Sequence, residues 1–106
     1  MNIKKKIYMK IFLIAYQKRC DIWGFNYSGY YKKLRELSNE ICLLFDNLSY
    51  VKTDLDVDTL LHELKPELDK NDSLLIQEIN PNECSINGFL PTSFWNWFKQ
   101  IKQNKQ

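Results

Sequence analysis

The apolar positions open with an unbroken run, Ile11, Phe12, Leu13, Ile14, Ala15 and Tyr16, inside residues 8–17. The run is too short to cross a membrane and too continuous for a strand washed by water on one side. It predicts a central β-strand buried on both faces. Side chains alternate across a strand, so Ile11, Leu13 and Ala15 belong to one face and Phe12, Ile14 and Tyr16 to the other. One face can take the chain's own helices. The other predicts a second copy of the molecule as its cover.

Residues 17–26 form an aromatic loop with Trp23 and Phe25. From Tyr27 the apolar residues fall at Tyr27, Tyr30, Tyr31, Leu34 and Leu37, opposed by Lys32, Lys33, Arg35 and Glu36, which is the one-sided spacing of a helix. Asn26 or Ser28 can cap it. Residues 41–45 are a short apolar run ending at Asp46 and Asn47, which tolerate tight turns, and a hairpin into Leu48–Thr53 is predicted. Asp54 or Asp56 caps a second helix whose stripe is Val57, Leu60, Leu61 and Leu64, and Pro66 ends or distorts it. A polar turn from Asp69 to Asp72 leads to Ser73–Ile79, read as a strand buried on both sides for part of its length.

That order, strand–helix–strand–strand–helix–strand, is the pattern of an α+β, ferredoxin-like βαββαβ sandwich with both helices on one sheet face. Asn87 and Gly88 then signal a turn, with a short fifth strand expected at 86–90. A C-terminal aromatic helix over 91–104 places Phe94, Trp97, Phe98 and Ile101 at i, i+3, i+4 and i+7. Such a helix must dock, on its own sheet or on another chain. Trp95 lies off that face.

At 106 residues the chain fits a single domain, 1–106, with a basic lead-in at 1–6. The net charge of +2 does not by itself demand nucleic acid or membrane, but the charges are unevenly placed. Lys4, Lys5, Lys6, Lys10, Lys18 and Arg19 precede the first acid, whereas 54–83 is predominantly acidic. Cys20, Cys42 and Cys84 lack the paired spacing of a zinc site or disulfide framework, and a reducing cytoplasm is the simpler setting. Lys10 interrupts what would be a signal-peptide core, and Lys18 and Arg19 stand where small cleavage-site residues belong, so neither export nor a membrane partner is expected.

The element order, together with Lys10-Ile-Phe-Leu-Ile-Ala-Tyr16, Tyr27-Ser-Gly-Tyr-Tyr31, Lys52-Thr-Asp54, Leu64-Lys-Pro66, Leu68-Asp-Lys-Asn-Asp-Ser-Leu-Leu75 and Gly88-Phe-Leu-Pro91 with Trp95 and Trp97, resembles small stand-alone members of the CRISPR-associated endoribonuclease-like superfamily. That superfamily includes the small ferredoxin-like subunit of the spacer-integration complex and virulence-associated ribonuclease toxins. The resemblance implies a homodimer whose sheets face each other, with Phe12, Ile14, Tyr16 and Gln17 on the shared face. It also implies that an aspartate just after the first strand's last aromatic residue helps to hold a divalent metal. Here that position is Gln17, and a neutral amide cannot supply the charge that magnesium and an activated water require.

Asp21 is the nearest carboxylate that can replace the missing one. Its plainer role is a loop turn or cap, because one carboxylate per chain is a poor magnesium site. Lys18 and Arg19 with Trp23 form a candidate phosphate-contacting and base-stacking surface for RNA or DNA, set against solvated lysines around a partly buried aromatic loop. His62, the single histidine, has no nucleophile at a suggestive spacing and belongs on the surface or its boundary. No metal or other cofactor is indicated by the residues; magnesium or manganese enters only with a nuclease using Asp21. The expected function is a non-catalytic homodimeric binding or assembly module associated with nucleic acid. A metal-dependent endoribonuclease is the first alternative. A protein-binding regulator or inhibitor without nucleic-acid contact is the second.

Overall fold

The computed structural model describes residues 9–19 and 26–103. The elements run β1 (Lys10–Gln17), α1 (Ser28–Leu37), β2 (Glu40–Phe45), β3 (Leu48–Thr53), α2 (Val57–Leu64), a 3-10 turn (Lys65–Glu67), β4 (Ser73–Ile79) and α3 (Thr92–Gln103). The sheet has the order β2-β3-β1-β4 with every neighbour antiparallel. This is the ferredoxin-like α+β arrangement with an added C-terminal helix. Among the described residues no helix is long and apolar enough to cross a membrane.

β1 is central because both its faces are apolar, and each face has its own core. Phe12, Ile14 and Tyr16 pack with Tyr27, Tyr30 and Leu34 of the α1 region, Val51 of β3, and Leu60 and Leu64 of α2. On the opposite face Ile11 and Tyr50 pack with Phe94, Phe98 and Ile101 of α3, and Leu13, Cys42 and Leu44 join them. Glu40 pins α3 across β2: one carboxylate oxygen accepts from the Trp97 indole N–H (3.2 Å) and the other meets the Lys52 ammonium (3.1 Å).

This corrects the expected dimer face. Phe12 and Ile14 are fully buried and Tyr16 nearly so, beneath the protomer's own helices, so a second copy does not reach them. The opposite face, that of Ile11 and Tyr50, is the one that α3 covers. The i, i+3, i+4, i+7 stripe of α3 finds its apolar surface on its own sheet, within the same chain.

Local chemistry accounts for the boundaries. Asp56 caps α2 by accepting from the Thr59 N–H (2.8 Å), and Pro66 converts the end of α2 into the 3-10 turn. Tyr27 occupies the N-cap position of α1 without a side-chain cap, while Asn26 Oδ1 accepts from the Ser28 N–H (2.8 Å). Val57 and Leu61, expected in the buried stripe of α2, are instead about two-fifths exposed, at 41% and 42%; the buried pair is Leu60 and Leu64. Ile86 and Leu90 form no strand, and both pack as loop residues against the α3 core. β4 is an edge strand, which leaves Leu75 exposed rather than buried. Cys42 and Cys84 are free thiols, both half-buried.

Candidate functional site

The sheet ends, beyond Tyr16, in a cluster of four tyrosines. The Tyr16 ring lies 4.6 Å from that of Tyr30, 5.9 Å from Tyr27 in a stacked arrangement, and 6.0 Å edge-on from Tyr31. Helical spacing on α1 places Tyr27, Tyr30 and Tyr31 over the end of β1. Tyr31 donates its hydroxyl proton to the Asp46 carbonyl at the β2–β3 turn, which leaves Tyr16 as donor in the Tyr16–Tyr31 hydrogen bond. Burial, followed by the Tyr31 hydrogen bond, pushes the Tyr16 hydroxyl pKa well above its ordinary 10.0. Burial and then the neighbouring Tyr31 do the same for Tyr30. Both hydroxyls therefore stay protonated near neutral pH and are not activated as nucleophiles.

Asp72 ties the far side of the cluster together. Its Oδ1 accepts from the Arg19 backbone N–H (2.7 Å), and its Oδ2 from the Tyr27 hydroxyl (2.8 Å) and the Asp69 N–H (2.9 Å). A carboxylate with that many donors is a structural acceptor rather than a general base. Gln17 is exposed and accepts through Oε1 from the Arg19 guanidinium (3.1 Å). The Lys18 ammonium stands 4.6 Å above the centre of the Tyr27 ring, within cation–π range.

Gln17, Lys18 and Arg19 thus share one end of the sheet, where Gln17 and Lys18 line a pocket of about 440 Å³ with Tyr16, Tyr31, Asp46 and Asn47. The other expected residues of that end, Asp21 and Trp23, lie outside the described residues. No group of three or more His, Cys, Asp or Glu capable of holding a metal ion occurs among the described residues. His62 is exposed on α2, in the surface position that its sequence surroundings predicted.

Tyr31 and Asp46 also line a second groove, with Arg35, Leu43, Leu44 and Phe45, so they stand between the pocket at the sheet end and a groove at the β2 edge. Leu43 and Phe45 are about half exposed there, at 46% and 51%. Sequence reasoning missed Arg35, Phe45 and Asp72. Arg35 was read only as the solvated side of α1, and Phe45 as the last residue of an apolar strand. For Asp72, a polar turn residue, no local signal reveals a bond to a tyrosine 45 positions earlier. Comparison with protein-family models, with curated proteins and with solved structures finds no match for the chain.

Proposed function

We propose that the protein is a non-catalytic binding module that takes single-stranded nucleic acid along the surface from Lys18, past Tyr31 and Arg35, to Phe45. The observation that carries this reading is the pair of grooves that share Tyr31 and Asp46, with a cation in each and a half-exposed aromatic ring, Phe45, in the second. Cations neutralise phosphate, and an exposed ring offers a sequence-tolerant stacking platform worth about 1–3 kcal/mol per base. The absence of catalysis is supported by the state of the groups at this end: the Tyr16 and Tyr30 hydroxyls are held protonated, Asp72 is saturated by donors, and Gln17 carries no charge. Asp46 shares the surface and opposes phosphate, so binding is modest and local.

Fluorescence anisotropy with labelled single-stranded RNA and DNA at low and moderate salt tests the proposal. Binding should weaken as salt rises, fall in Lys18→Ala, Arg35→Ala and Phe45→Ala, and strengthen in Asp46→Asn. No binding even at low salt would overturn it and favour a protein partner at the apolar β2 edge. The same RNA incubated with magnesium or manganese should remain intact. Cutting that is lost in Asp21→Ala would replace the binding proposal by a metal-dependent endoribonuclease.

A further inference from the structure

An acid in the middle of a phosphate-binding surface costs affinity unless it reads something that only an acceptor can read. Asp46 stands in that place, since it lines both grooves. The β2–β3 turn that carries it is fixed through its backbone: the Asp46 carbonyl accepts from the Tyr31 hydroxyl, and the Asn47 carbonyl from the Tyr16 N–H (3.0 Å). An Asp or Asn chosen for a turn commonly accepts from the backbone N–H two residues on, as Asn26, Asp69 and Asn80 do here. The Asp46 carboxylate does not. It has no hydrogen bond and no ion pair among the described residues, although Lys18 lines the same pocket.

Gln17 supplies the complement. Its Oε1 accepts from the Arg19 guanidinium (3.1 Å), which settles the oxygen end of the amide and leaves the Nε2 hydrogens without a partner among the described residues. The pocket therefore combines a two-oxygen acceptor with the Gln17 amide and the Lys18 ammonium as donors. Its volume of about 440 Å³ falls within the range of about 300–1,000 Å³ that small organic groups occupy. Among the nucleobases this set matches guanine. A carboxylate accepts two parallel hydrogen bonds, and guanine alone carries two adjacent donors on its pairing edge, N1–H and N2–H2, with the O6 acceptor beside them. Uracil and thymine offer one N–H between two carbonyls. Adenine and cytosine set an amino group next to a bare ring nitrogen, which a carboxylate repels.

We propose that this pocket reads one guanine base of the bound strand, with Asp46 accepting from N1–H and N2–H2 while Gln17 Nε2 and Lys18 donate to O6. The assignment rests on the reading of the surface as a single-strand binding site and gives the strand a register: guanine beside Gln17 and Asp46, a neighbouring base on the Phe45 ring of the second groove. Phosphate contacts position a strand, and base contacts specify it. Asp46 thus lowers the affinity for every strand and raises the selectivity among them.

Fluorescence anisotropy on the full chain at low salt, with short oligouridines carrying a single central guanosine, inosine or adenosine, tests this. Inosine keeps O6 and N1–H and lacks only the N2 amino group. The guanosine strand should bind about 5- to 150-fold more tightly than the adenosine strand, the discrimination of one bidentate pair, with inosine between them. Asp46→Asn should close the gap between guanosine and inosine while tightening the adenosine strand, from which it removes a repulsive charge. Gln17→Ala should weaken the guanosine and inosine strands alike and leave their ratio unchanged. Equal affinity for all three strands, still falling with salt, would overturn the guanine assignment and leave the binding surface standing; no binding of any strand would overturn both. A guanosine preference that Asp46→Asn does not alter would also overturn the assignment. Asp46→Asn keeps the backbone bonds of the turn and should leave the melting temperature close to wild type. If it does not, the wild-type order of guanosine, inosine and adenosine decides.

Discussion

Replacing Phe94 by alanine tests whether α3 belongs to its own sheet. Phe94 is 1% exposed and lies with its ring 5.4 Å from that of Tyr50 on β3 and 5.7 Å from Phe98 on α3. Truncating a fully buried phenylalanine costs about 3–5 kcal/mol, through the lost transfer energy of the ring and the cavity left behind. A domain of this size has only about 5–15 kcal/mol in total, so between a fifth and all of its stability is at risk. The melting temperature should fall by about 12–25 °C. Urea unfolding followed by tryptophan fluorescence reads the change directly, because Trp95 and Trp97 ride on the same helix. A double-mutant cycle with Tyr50→Ala should add a coupling of about 0.5–1.5 kcal/mol, the value of a packed ring pair, since the two rings sit on different elements. A loss of less than ~1 kcal/mol with no coupling would refute the docking of α3 and reopen that sheet face to a partner.

Phe12→Asp or Ile14→Asp, on the face under α1 and α2, should unfold the chain rather than dissociate an assembly, at a cost of several kcal/mol; a folded variant by circular dichroism would contradict the burial of that face. The Tyr30 hydroxyl is buried without a hydrogen-bond partner among the described residues, so Tyr30→Phe should leave stability unchanged or raise it by about 1 kcal/mol, and a loss of that size in urea titration would count against the geometry. Backbone and side-chain hydrogen bonding from Thr59 lowers the Asp56 pKa below its ordinary 3.8, so its stabilisation is present above that value and disappears as pH falls through the lower folded value. Melting curves of wild type and Asp56→Asn should therefore converge in acid; parallel curves would remove the cap from the account. Burial raises the Tyr16 and Tyr30 pKa values, so the stability they confer is complete below their ordinary 10.0 and is lost as pH rises towards the folded values. Tyrosinate absorbance from Tyr16 and Tyr30 should accordingly appear only as the protein unfolds in alkali.

The strand–helix order was legible because each element carries a strong local signal. The run at Ile11–Tyr16 could only be an interior strand, Asp56 and Pro66 bracket α2 by capping and by loss of a donor, and Asp46 with Asn47 makes the hairpin turn. The end of β1, with Gln17, Lys18 and Arg19, was also found from the sequence, since a break from apolar run to cations needs no tertiary information. The β2-edge part of the surface was not. Phe45 and Leu43 look like core residues in a linear pattern, and only their position on an outer strand exposes them.

The sequence by itself determined that β1 has two apolar faces and that the last helix must cover something, because periodicity records how much apolar surface an element has to bury. It carried no information about which surface meets which. The tertiary structure decided that α3 folds back over Ile11 and Tyr50, and that α1 and α2 cover Phe12 and Ile14. Burial is non-directional and proportional to area, so a stripe at Phe94, Phe98 and Ile101 is satisfied equally by another molecule or by its own sheet; the connection from β4 makes the intramolecular contact available without the entropic cost of association.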